Sequence, residues 1–551
     1  MAHANEGRDS RAWWLALAVI VLAGVAIRIM VWHTRLVVED HDSIGYLRQI
    51  AAILREGPSR LTHMGTTTTP VFPVLGALFS LPGWGPLVGA RLSSLVMSVV
   101  LLVASGLLGR AWLGARAALF GVALIAFAPA LVDVGVAVLS EPSYLALVYA
   151  GLVPLAIRRQ PYPWWVPVVT GLCLGLAFVD RIEGIGFLAA VPLLALVSRR
   201  PGRSRPPVSL ALASSGIFVV AFLLTAAPQV VAVSRAAGRP MVNGRQLWSA
   251  LMTAPGYGSY ERRIYGLDFD PGQTNAHYAM GHPDLLGQGR AGFSLSAYAH
   301  EAVANASAML QTHLSQLVGA LALIFAGIAV IALIRARQHR LVIGVAGLLA
   351  VMLGIPLLHE FTLRHIVVAA PLLLLLAGKG IEETITAIVG DRARRPMVAG
   401  GALLTAVVVL AWVPQLHALT TNGDCGPEYC SRAIEATAAA VRSATPTPES
   451  TIIAARRRYL AYYAGTDGLT LPFVDTPALT RYLQLNHADF LFLDSHDDED
   501  FPFYPDFAER PPAGFQLVYQ CQDRTGRILR LYRVLPGSSG SDRRLSANSA
   551  S

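Results

Sequence analysis

VVEDHDSIGYLRQIAAILREG, residues 37–57, begins where the first apolar run of the chain ends. Four ionisable side chains, Glu39, Asp40, His41 and Asp42, stand in a row there. After them Ile44, Leu47, Ile50, Ala51 and Leu54 recur at helical spacing, so the segment reads as a short amphipathic helix. The acids then sit at a helix N-terminus, where the macrodipole favours a carboxylate. What they do depends on which side of a membrane they face and on what else gathers there.

Of the 551 residues, 54% are hydrophobic and 14% charged, against about 25% charged in an average soluble domain. Apolar runs long enough to cross a bilayer recur along most of the chain, which reads as an α-helical polytopic membrane protein. The net charge of +9 comes from arginine, since lysine occurs once, at Lys379. Those arginines form short clusters between apolar runs, which argues against nucleic-acid binding. Cys425 and Cys430 bracket GPEY, too short and too isolated for a zinc site, and read as a local disulfide if that segment is extracytoplasmic. Cys173 lies in an apolar run and reads as packing.

Spans are expected at residues 12–32, 86–109, 117–138, 142–158, 164–180, 184–198, 208–232, 313–335, 341–358, 363–379 and 396–416, about eleven in all. The long first run lacks a small-residue cleavage site, which sets aside a signal peptide. TPVFPVLGALFSL (69–81) is apolar but short and carries Pro70 and Pro73, so it reads as an interfacial helix.

Arginine clusters occur at Arg8/Arg11, Arg110/Arg116, Arg158/Arg159, Arg199/Arg200/Arg203/Arg205, Arg335/Arg337/Arg340 and Arg392/Arg394/Arg395. All fall on one side of this arrangement, the cytoplasmic side. Residues 33–85 and 233–312 then become outer loops of a membrane domain over 1–416. Residues 417–536 become a small extracytoplasmic α/β domain, and 537–551 a disordered tail. In that domain TIIAA, ADFLFLD, FQLVYQCQD and RILRLYRVL read as strands. Asp475-Thr476 caps a helix over ALTRYLQL, and QDRTGR suits a hairpin.

This topology places the remaining charges on the outer face. Glu39 to Asp42 leave the end of the first span, and Arg91 lies near the start of the second. Asp133 and Glu141 follow the third, and Asp180, Arg181 and Glu183 form the turn after the fifth. His359, Glu360, Arg364 and His365 precede the tenth. A charge at mid-bilayer costs about 2.5–3.5 kcal/mol on insertion scales, so such groups face a cavity or pair with one another. The collection suits an anionic lipid headgroup beside a carboxylate that handles a proton. Blander readings stand beside it: a self-satisfied Asp180-Arg181-x-Glu183 ion cluster, and a solvated loop start at EDHD.

At these residues the chain resembles the GT-C membrane glycosyltransferases. The nearest branch is family 39, with the protein O-mannosyltransferases and the lipid A aminoarabinose transferase. Asp42, Tyr46 and the helix ending at Gly57 resemble the branch's first outer loop, and TTPVFPVLGALF its Pro-rich interfacial helix. GARLSSL, Glu141 in LSEPSY, GLCLGLAFVDRIEG, AAPQVVAVSRAAGRP and LRHIVVAAPLLLLLAG follow in the family's order. Two positions depart from it. Ser43 stands where a second acid often follows the first, and the late turn has Arg-His where many members have Arg-Tyr.

The resemblance covers roughly residues 12–380 and implies an inverting transfer at the outer face of the cytoplasmic membrane. The donor would be a polyprenyl-phosphate sugar, and the acceptor a hydroxyl or phosphate on an envelope glycan, lipid or protein. Asp42 is expected as the base, with Asp40 and Glu141 orienting the acceptor or tuning Asp42, and Glu39 and Tyr46 alongside. Arg91, Arg181, Arg364 and His365 are expected to hold the donor phosphate. No cofactor is expected. Asp40-His41-Asp42 is formally a DxD, but a donor without a diphosphate does not favour a divalent cation. The competing classes are a transporter or flippase for lipid-linked sugars and a non-catalytic binding protein. Transporters often show internal repeats, and none is evident here. Reporter fusions after Arg110, Arg159, Arg205 and Arg340 are expected to read cytoplasmic, and fusions near Gly65, Gln273 and Ser538 to read outside.

Overall fold

The structure is a computed structural model of the whole chain. It describes residues 2–34, 41–57, 69–158, 162–191, 208–237, 240, 242, 295–357, 363–390, 394–421, 427–499, 501–509, 511–522 and 526–536. Glu39, Asp40, His359, Glu360 and Cys425 lie outside the described residues. Two compact units make up the chain. One comprises Met1–Thr34, Tyr46–Ser249 and Ser294–Thr421, and the other Arg35–Gly45, Ala250–Phe293 and Asn422–Ser551.

The expected amphipathic helix is α2 (His41–Glu56), which follows α1 (Ala2–Thr34). The Pro-rich stretch forms α3 (Val71–Ser80), too short to cross a bilayer. Then come α4 (Gly85–Trp112), α5 (Ala115–Phe127), α6 (Pro129–Val134), α7 (Glu141–Ile157), α8 (Trp165–Asp180) and α9 (Val208–Ala237). The later helices of this unit are α10 (Leu295–Ala308), α11 (Ala320–Arg335), α12 (His339–Leu357), α13 (Ala370–Val389), α14 (Arg394–Ala411) and α15 (Val413–Thr421).

Among the described residues five helices are long and apolar enough to cross a membrane, or seven if each of two bent pairs is one span. The expected spans at 142–158, 164–180 and 184–198 correspond to apolar helices of 10–17 residues.

Helix breaks carry most of the difference from the expected spans. The run 117–138 is not one helix. Pro129 has no amide proton and drives Ala128 to an extended conformation (φ −60°, ψ 121°), so α5 stops at Phe127. The run 313–335 divides at Gly319, whose φ of 79° suits glycine, and the helices on either side meet at 102°. The run 396–416 bends by 53° at Trp412. The helix expected to end at Lys379 continues to Val389.

Backbone groups freed inside lipid cost several kcal/mol unless they find partners in the protein. Buried side chains supply those partners. Arg28 on α1, fully buried, donates from Nη1 to the carbonyls of Gly24 (2.8 Å) and Ala126 (2.9 Å), and from Nη2 to that of Leu131 (3.1 Å). Ser94 and Ser98 on α4 donate to the carbonyls of Ala137 (2.6 Å) and Gly135 (3.1 Å). Before α13, the Tyr149 hydroxyl donates to the Val368 carbonyl and accepts from the Leu372 amide, both at 2.9 Å.

The second unit is a five-stranded mixed sheet of order β2-β1-β3-β5-β4. The strands are β1 (Ile452–Ala455), β2 (Asp467–Thr470), β3 (Phe490–Asp494), β4 (Phe515–Gln522) and β5 (Ile528–Val534). β1 lies parallel to β2 and β3, while β5 runs antiparallel to β3 and β4. All four expected strands and the closing hairpin are present, and β2 is an addition. The helices are α16 (Pro427–Ala444), α17 (Tyr459–Ala464) and α18 (Thr476–Leu485). Asp475 caps α18 as expected, accepting from the Ala478 amide at 3.0 Å. Leu479, Leu483, Leu491, Phe503, Phe507 and Tyr532 form its core.

Tyr149→Phe removes one hydroxyl that satisfies a carbonyl and an amide together. The loss is expected to be about 1–3 kcal/mol for each group left unpaired, read as a lower thermal unfolding midpoint in detergent.

Candidate functional site

Short α3 organises one side of the site. Gly89 on α4 faces it so closely that a Cβ there would lie 2.0 Å from Ser80 Oγ and 2.5 Å from the Gly76 carbonyl oxygen. The second amide of α3, on Phe72, is an orphan donor of the helix start. It donates to Asp180 Oδ1 at 3.3 Å. Asp180, the last residue of α8, also accepts on Oδ2 from Ser143 in the first turn of α7. One buried carboxylate thus ties together the starts of two helices and the end of a third.

Glu141 is the first residue of α7 and is completely buried. Its Oε1 accepts from Arg181 Nη1 at 2.6 Å and from Arg364 Nε at 2.8 Å. Arg181 follows α8 in extended backbone (φ −148°, ψ 135°) and donates from Nη2 to Glu183 Oε1 at 2.9 Å. Gly184 allows that tight return, since a Cβ there would sit 2.6 Å from Phe178 Cα. Arg364 lies in the helical turn Leu363–Ile366, which Tyr149 anchors through the Val368 carbonyl. The side chains differ sharply in access: Glu141 is 0% exposed, Arg181 1% and Arg364 28%.

The structure therefore joins Glu141, Arg181 and Arg364, which are far apart in sequence. Tyr46 reaches the same assembly through its ring, 5.1 Å from that of Phe72. His365 is buried beside Arg364 in the chain, and Arg91 is buried in the second turn of α4. Asp42 stands in the first turn of α2, half-buried and one helical turn before Tyr46. Glu39 and Asp40 are outside the described residues, so the Asp40-His41-Asp42 string has no described geometry as a cation site.

Asp180 and Ser143 were not among the expected site residues, and Glu183 was read only as part of a local cluster. The DRIEG turn is indeed partly self-satisfied, through Arg181 and Glu183. What the turn conceals is that Arg181 also meets Glu141, 40 residues away. Chemically, two guanidiniums beside carboxylates can hold an oxyanion, and Arg364 is the more accessible of the two.

No protein-family model matches the chain, and no curated protein matches it in sequence. Solved structures do match in fold. ArnT from Cupriavidus metallidurans in the apo state aligns with TM-score 0.55 and 14% identity, over 95% of this chain and 98% of that one. The same protein bound to undecaprenyl phosphate gives 0.54 and 14%, over 94% and 97%. The archaeal oligosaccharyltransferase AglB from Archaeoglobus fulgidus, in complex with an inhibitory peptide and a dolichol-phosphate, gives 0.56 and 12%, over 95% and 74%.

This chain has the GT-C fold.

The fold that the ordered motifs of residues 12–380 implied is thus the fold observed, in an integral membrane protein with a small C-terminal sheet. Within the GT-C fold, the Glu141–Arg181–Arg364 group makes a stability prediction of its own. Removing one partner of a buried ion pair typically costs about 3–5 kcal/mol. Glu141→Gln withdraws charge from two guanidiniums and is expected to lower the unfolding midpoint in detergent more than Glu183→Gln, which withdraws it from one.

Proposed function

We propose that the protein is an inverting membrane glycosyltransferase that uses a polyprenyl-phosphate sugar and works at the extracytoplasmic face of the cytoplasmic membrane. One observation carries the reading. Buried Glu141 positions two arginines, and one of them, Arg364, is open to solvent. It is supported by likeness in fold to proteins whose structures hold undecaprenyl phosphate and dolichol-phosphate.

In the proposed reaction Asp42 takes the proton of an acceptor hydroxyl. The freed oxygen attacks the anomeric carbon from the face opposite the phosphate, and the bond from that carbon to the phosphate oxygen breaks. The electron pair leaves with the lipid phosphate, which is already anionic and needs cationic contacts more than a proton. Arg364 makes those contacts, with His365 and Arg91 as further members of the phosphate side. Arg181 and Glu141 are positioning residues on this scheme, since both are too buried to touch a lipid headgroup. Asp40 and Glu39 tune Asp42. The acceptor is an envelope glycan, lipid or protein, and no metal or other cofactor takes part.

The test is transfer from a polyprenyl-phosphate sugar by purified variants. A positioned general base contributes about 10²–10⁴-fold, so Asp42→Asn is expected to lower turnover by about two orders of magnitude or more while the protein still folds. Asp40→Asn is expected to cost less. Arg364→Ala is expected to raise the KM for donor more than it lowers kcat. Near-full activity of Asp42→Asn with a dead Asp40→Asn would move the base to Asp40. Loss of wild-type activity on adding a chelator would replace the metal-free scheme with a cation at Asp40-His41-Asp42. Movement of the lipid-linked sugar without any transfer would favour a flippase.

A further inference from the structure

The carboxyl edge of the second unit's parallel strands holds groups that the proposed transfer does not use. From β1 the chain goes to β2 on one side, then returns to place β3 on the other. That reversal makes the carboxyl ends of β1 and β3 a topological switch point, where open α/β sheets bind their ligands. The three residues that follow β1 are Arg456, Arg457 and Arg458, all half-buried.

These arginines fan across the edge. Arg458 reaches the end of β2, where its Nε and Nη2 donate to Thr470 Oγ1 at 3.1 and 2.9 Å. Arg456 reaches the segment after β3, its guanidinium 5.4 Å from the centre of the Phe501 ring. Arg457 stands between them in the chain. The carboxylate that ends β3, Asp494, is buried and already neutralised. Arg527 Nε lies 3.0 Å from both of its oxygens, and Tyr459 donates to Oδ2 at 2.9 Å. The guanidiniums of the β1 turn therefore add positive charge to this edge instead of cancelling Asp494.

We propose that this edge binds a phosphate-type oxyanion, held by Arg456 and Arg457 while Arg458 fixes the turn that presents them. A guanidinium fork matches a tetrahedral oxyanion, and charge-assisted hydrogen bonds are about twice as strong as neutral ones. Both a phosphorylated envelope glycan and an anionic lipid headgroup carry such a group. Taken with the transferase reading, on which this clause alone rests, the edge selects acceptors that bear phosphate.

The experiment is hydrogen–deuterium exchange on the full chain in detergent, with inorganic phosphate compared with sodium chloride of equal ionic strength. Phosphate is expected to protect the amides that follow β1, and the Arg456→Gln/Arg457→Gln variant to lose that protection. A second arm places the protein in nanodiscs of phosphatidylglycerol or phosphatidylcholine. Protection by phosphatidylglycerol alone assigns the oxyanion to a lipid headgroup, and protection by inorganic phosphate assigns it to a soluble or glycan phosphate. No protection of the wild type in either arm overturns the proposal, as does unchanged protection of the double variant. A third adverse result is lower thermal stability of the double variant with no phosphate effect in the wild type. The arginines would then serve only to pair the acidic run at 497–500. Phosphate protection in a protein with no transfer activity would sink the transferase reading and leave this site standing.

Discussion

One carboxylate oxygen, Oε1 of Glu141, accepts from two guanidiniums, and the polar arrangement of the first unit depends on that contact. Each charge taken from water carries a penalty of several kcal/mol, recovered only with close partners and good geometry. Glu141, Arg181 and Arg364 come from the start of α7, the exit of α8 and the turn before α13. Fixing the carboxylate therefore fixes three segments at once. All three are irregular or terminal, because a regular transmembrane helix keeps its backbone to itself and offers no opening for charge.

Such irregularity is unstable in lipid unless every freed carbonyl and amide is met. The answering groups lie one layer behind the charges. Tyr149 secures the turn that bears Arg364, while Ser94 and Ser98 secure the chain that leads to Glu141. Asp180 does the same for α3 and α7 through the Phe72 amide and Ser143. The electrostatic and backbone requirements thus support one another. The ion group needs the breaks, and the breaks are tolerated because neutral hydroxyls and one further carboxylate complete their hydrogen bonds.

Some of this was legible in the sequence. A period of 3.6 residues identified α2, paired prolines identified α3, and alternating β-branched and aromatic residues identified four strands. The short DGLT strand escaped, since four residues with Asp and Gly show neither alternation nor β-branched bulk. Hydropathy also ran through the break at Ala128, because averaging apolar residues does not register the missing amide of Pro129. That Glu141, Arg181 and Arg364 belong on one face followed from counting helices between arginine clusters. That they touch did not. Glu141 and Arg364 are 223 residues apart, and a carboxylate carries no local trace of its partner. Asp180 was invisible as a junction because one of the donors it accepts is a backbone amide, which every residue but proline possesses.

Arg28 raises a question of timing. Its guanidinium is satisfied by carbonyls 98 and 103 residues further along the chain as well as by its own helix. During synthesis the first span must enter the bilayer well before those acceptors leave the ribosome. Until then the long side chain has to reach for headgroups, as arginines near helix ends do. The first helix is consequently a provisional insertion, completed only when α5 arrives and its broken end takes up the charge. Assembly of this membrane domain thus contains a built-in order, in which an early helix waits on a later one.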